Sequence, residues 1–139
     1  MSIVQTQTTS FKAELYQGIH DLTTDVIKIA LYTGNASLNE TTTAYSTSNE
    51  ITGTGYTAGG KVMTGITVNT SGYTAYVDFA DVVWSPGVFT ARCALIYNSS
   101  KGNKSVAVLD FGSDKTTTTT FTITMPANTA TSALIRSSI

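Results

Sequence analysis

Few side chains in this sequence have the type and spacing to do chemistry. The single histidine, His20, stands beside Asp21, and the single cysteine is Cys93. Nucleophilic catalysis needs a nucleophile, a base within hydrogen-bonding reach and a third group that orients the base. Cys93, however, sits in the apolar run ARCALIY, where a free cysteine behaves as a small inert core side chain. As a metal ligand His20 has only Asp21 and Asp25 nearby, too few donors for a closed site. It is therefore expected as a solvated histidine at a helix end, with no metal and no cofactor. Asp78, Asp81, Asp110 and Asp114 fall near strand ends and turns. A pair of them across a sheet would suit glycoside hydrolysis, whereas singly they suit turns, where the carboxylate bonds the backbone two residues on.

Two glycine-containing stretches raise the question of nucleotide binding. In SSKGNKS (99–105) Asn103 separates Gly102 from Lys104, and Tyr97 stands where a phosphate loop needs its first glycine. The apolar run VAVLDF follows, so a hairpin turn with Gly102 or Asn103 at positive φ is expected instead. GTGYTAGG (53–60) lacks the GxGxxG spacing and precedes a β-rich run, so it reads as a bend whose Tyr56 packs down or meets a neighbour.

The elements that would position these residues are mostly strands. Phe11, Leu15, Ile19 and Leu22 recur at helical spacing and predict one amphipathic helix over 10–22, with Ser10 as its cap. Residues 1–9 ahead of it are polar and read as an extended arm or a frayed end, with Thr6 and Thr8 as candidate interface residues. From Asp25 onward the period changes to two. Strands are expected at 26–33, 61–69, 74–84, 89–98, 104–112, 118–125 and 132–137, and a long polar loop at 34–49. About seven strands with one short N-terminal helix give a mainly β fold, an antiparallel sandwich or barrel-like domain. Trp84, Pro86 and Phe89 form an aromatic corner that belongs either to the core or to a protein interface, and Arg92 interrupts an apolar strand to pair with an acid or reach another subunit.

Composition narrows the partners. At 139 residues the chain suits one domain spanning 1–139. Charged residues are 12% and the net charge is −1, so there is no basic field for nucleic acid or an anionic membrane. Thr is roughly a fifth of the chain, which suits solvent-facing strand positions. One cysteine allows no internal disulfide, and no leader or membrane span is apparent, so an intracellularly made soluble protein is expected. The sequons at Asn35, Asn39, Asn69 and Asn98 are then accidents of composition.

The segments FKAELYQGIHDL, IKIALYTGNASLNETTTAYSTSNEITGTGYTAGG, YVDFADVVW, FTARCALIYNSS and AVLDFGSD occur here in an order that resembles a family of small virion structural proteins of tailed bacteriophages. The resemblance runs from Phe11 to the end. It implies no catalytic residue, and a small residue such as Gly often stands in that family where Cys93 is. It implies a virion protein, foremost a capsid decoration (cement) protein that binds the major capsid protein shell in many copies and stabilises it, commonly as a homotrimer. A tail, adaptor or fibre-associated subunit that binds tail proteins or a receptor is the alternative, and a carbohydrate-active β-sandwich enzyme the third reading. Tyr56, Trp84, Phe89 and Arg92 join Thr6 and Thr8 as candidate interface residues.

Overall fold

The computed structural model describes residues 3–137. Its strands are β1 (Thr6–Gln7), β2 (Ile27–Tyr32), β3 (Lys61–Val62), β4 (Thr67–Ser71), β5 (Thr74–Asp78), β6 (Val82–Trp84), β7 (Phe89–Asn98), β8 (Lys104–Thr117), β9 (Phe121–Ile123) and β10 (Ile135–Ser137), with one helix, α1 (Thr9–Tyr16). The fold is mainly β with antiparallel sheets, as the alternation of the sequence predicts. Three sheets form: five strands in the order β1-β8-β7-β2-β3, three in the order β10-β5-β4, and the pair β6-β9. Ten strands rather than seven arise partly because two expected strands are each cut where the chain changes sheet. The 61–69 segment divides into β3 and β4, and 74–84 into β5 and β6.

The centre is the β7–β8 hairpin, closed by a single 3-10 turn (Ser99–Lys101) and by Gly102 and Asn103 at φ 67° and 61°. SSKGNKS is thus a turn, and no helix follows it to hold a phosphate. The hairpin is not regular throughout. Cys93 lies opposite Asp110 but Ala91 lies opposite Lys115, so residues 111–114 of β8 bulge out across from Arg92.

Both faces of the five-stranded sheet are covered, which accounts for the nearly unbroken apolar runs in β2 and β7. Ile27, Ile29, Leu31, Ala94 and Ile96 on one face join Phe11, Met63, Val77, Trp84, Phe89, Phe121 and Ile135 in the main core. Ala30, Tyr32, Cys93, Leu95, Tyr97 and Val108 on the other face meet Ala36, Leu38 and Tyr45 from the 34–49 segment. That polar loop is therefore a lid, its apolar minority turned inward.

The helix is shorter than its apolar period suggests. It ends at Tyr16, Gln17 caps it, and Gly18 N–H bonds Leu15 O, so Ile19 and Leu22 lie beyond it. Its N-cap is Thr8, not Ser10: the Thr8 hydroxyl accepts from Phe11 N–H. Residues 3–9 are not a free arm. β1 pairs with β8 (Thr6 with Val108, Gln7 with Ala107), Val4 N–H bonds Leu38 O, and Gln5 Oε1 accepts from Asp110 N–H. The pairing edge offered by β8 is what recruits so polar a segment. The first two residues of the expected arm lie outside the described range.

Candidate functional site

His20 is buried, contrary to its expected place in solvent, because the turn after α1 folds it under Phe11, with ring centroids 4.9 Å apart. Its partners fix its protonation pattern. Asn98, fully buried, accepts from Ser100 N–H through Oδ1, so its Nδ2 is the group that faces His20 Nδ1 at 3.0 Å and Asp25 Oδ2 at 2.8 Å. Nδ1 therefore accepts, and Nε2–H donates to Glu14 Oε1 at 2.8 Å. Lys101 Nζ completes the cluster on Asp25 Oδ1 at 2.8 Å. Burial opposes charge on Asp25, but the bonds from Lys101, Asn98 and Asp21 N–H outweigh it and hold its pKa down to about 2. The network ties the α1–β2 connection to the end of the central hairpin.

A second cluster, unforeseen in the sequence, surrounds Glu50. Tyr45 donates to Oε1 at 2.7 Å, while Tyr56 and Gly59 N–H donate to Oε2. Tyr56 Oη also accepts from Leu31 N–H, and Tyr97, stacked on Tyr45, donates to Gly59 O at 2.6 Å. Burial raises the Tyr56 phenol, and its bond to Glu50 raises it further. GTGYTAGG is shaped by this packing. At Gly60 (φ 80°) an added Cβ would lie 1.7 Å from Ile29 O, a close approach only glycine permits. The signal available in the sequence was the crowd of tyrosines around one glutamate.

The remaining candidates separate. Trp84 and Phe89 are 1% and 6% exposed and meet edge to face at 6.3 Å, so both belong to the core, while Pro86 between them is exposed. Tyr56 likewise faces inward. Thr8 is fully buried beside Ser105, at 2.9 Å, and Thr6 is half-buried in β1, so neither heads an external arm. Arg92 pairs with Asp110 across the hairpin, and Asp110, which also accepts from Gly112 N–H, is held below the usual carboxylate range by that bond first and Arg92 second. Asp81 accepts from Met125 N–H. Cys93 is buried, and burial pushes its thiol up to about 11. Among the described residues there is no group of three or more side chains able to hold a metal ion, and no helix long and apolar enough to cross a membrane.

Two exposed surfaces are β-structured. Every residue of β4 except Asn69 is exposed, Tyr73 at the β4–β5 tip is 88% exposed, and residues 112–116 of β8 stand clear of the core. Hydroxyls of Thr67, Thr70 and Ser71 line β4, which can hydrogen-bond an added backbone or a partner surface without a charge to neutralise, whereas on β8 Ser113 and Thr116 flank the charged Asp114 and Lys115. No protein-family model, curated protein or solved structure matches the chain.

Proposed function

We propose that this is a virion structural protein, foremost a capsid decoration protein that binds the major capsid protein shell in many copies and reinforces it. The observation that carries the reading is the exposed, uncharged strand surface of β4, set on a core whose ionisable groups are engaged in bonds between elements. The order of segments from Phe11 onward, resembling small tailed-phage structural proteins, supports the same reading. Repeated weak contacts then add through avidity, so a small domain can hold a shell without a large interface of its own.

The test is the position of the protein on purified particles, read by cryo-microscopy, with sedimentation of added protein on particles stripped of it. Density over the shell and co-sedimentation with stripped heads are expected. Density confined to the tail would assign the alternative, a tail, adaptor or fibre-associated subunit. An enzyme built on the aspartates would instead show turnover on polysaccharide that falls on replacing Asp78, Asp81, Asp110 or Asp114 singly, with the fold intact.

A further inference from the structure

The three-stranded sheet ends abruptly. Across β10, β5 and β4 runs one apolar row, Ile135 opposite Val77 opposite Val68, and its exposure climbs from 5% to 8% to 51% at the last member. Val68 carries the buried face of the sheet past the point where the core covers it. The strand that bears it, Thr67–Ser71, has its outer backbone edge unpaired over five residues among the described residues. It holds no charge, no proline and no bulge, the devices by which proteins block pairing at an edge. The other free edges are short or guarded: β1 and β3 have two residues each, β6 and β9 three each, β10 three with Arg136 among them, and the outer half of β8 bulges and holds Asp114 and Lys115.

The geometry points to a second copy of this chain as the partner of β4, joined edge to edge about a two-fold axis through Asn69. Antiparallel pairing about that residue sets Asn69 against its own copy, Val68 against Thr70 and Thr67 against Ser71. Two β-branched side chains then meet on the face where Val68 is uncovered, and two small hydroxyl residues meet on the other, a pairing that strands tolerate well. The strand is neutral, so self-juxtaposition brings no like charges together, whereas a charged edge would repel its copy. The two sheets merge into one of six strands, and the apolar row continues from Val68 onto the partner's Thr70. A five-residue edge covers less than the ~800 Å² per partner of a standard stable interface, so the dimer is weak in dilute solution and gains strength where copies are held close. The contact stands on the edge itself and does not depend on where the protein acts.

Covalent capture and charge reversal test it on the full chain. Directly opposed residues in an antiparallel pair have Cα atoms about 4.5–5.5 Å apart, within reach of a disulfide. Under mild oxidation Asn69→Cys should form a covalent dimer roughly tenfold faster than Tyr73→Cys, which is more exposed but off the axis; buried Cys93 does not compete. By sedimentation at rising concentration, V68K/T70K should abolish dimers, because each lysine would face another across the axis. V68K/T70E should restore them, since each lysine then faces a glutamate. Equal capture rates at positions 69 and 73, dimers that survive V68K/T70K, or a wild type that stays monomeric into the millimolar range would each overturn the pairing. A monomer that binds particles through β4 would assign the edge to the shell instead.

Discussion

Asp25 carries the clearest pH signature among the side chains. Its pKa is depressed in the folded state to about 2, so the network's contribution is fully present above the ordinary carboxylate pKa and is lost as pH falls through about 4 to 2. With a side chain only 8% exposed, it is worth at most about 2 kcal/mol. Urea unfolding at pH 7 and pH 2.5 should show a larger difference for the wild type than for Asp25→Asn, and the carboxyl resonance should titrate near pH 2. Cys93 predicts a different behaviour: a buried thiol raised to about 11 should resist thiol reagents until the protein unfolds, and Cys93→Ser should cost about 1–2 kcal/mol by thermal melting. At Thr8, replacement by alanine removes both the helix cap and the bond to Ser105, a loss of about 1–2 kcal/mol that Thr8→Ser should largely recover. Of these three, only the burial of Cys93 was legible from its neighbours. Thr8 was hidden because Ser10 also suits a cap, and the Asp25 network because its partners Asn98 and Lys101 lie at the turn of the distant β7–β8 hairpin.

Among the elements, the β7–β8 hairpin was readable since its pairing is local and its turn residues are adjacent in sequence. The glycine-rich bend was legible as a bend but not as to why. Gly60 faces the Ile29 carbonyl, whereas Gly72, also at positive φ, has open space around it. Gly60→Ala should therefore destabilise by at least about 2–3 kcal/mol and Gly72→Ala by about 1 kcal/mol, compared by denaturant midpoints. The helix was overextended because Leu22 keeps the helical period by coincidence: it is buried, yet reaches the core from a turn after Gly18. The 34–49 segment looked like a plain polar loop because two buried residues, Ala36 and Leu38, are too few to show a period.

For the whole molecule, the largest revision concerns the N-terminal segment. Its polarity suggested a reach outward, but its strand partner comes late in the chain, beyond what any local pattern can reveal. Deleting residues 2–8 should lower the melting temperature by roughly 5–15 °C, since β1, the cap of α1 and the Gln5 bond to Asp110 leave together. The same pairing bears on how the chain is made. β1 emerges before β8, and its site there appears roughly a hundred residues later, on the order of 5–20 s of synthesis. The central hairpin closes quickly by comparison, since loop-closure entropy is small for neighbours in sequence. Among the described strands β1 thus waits longest for its partner, and a chain whose β8 has emerged before β1 docks offers, on a crowded polysome, an open acceptor edge at Ala107 and Val108 to the waiting strand of another.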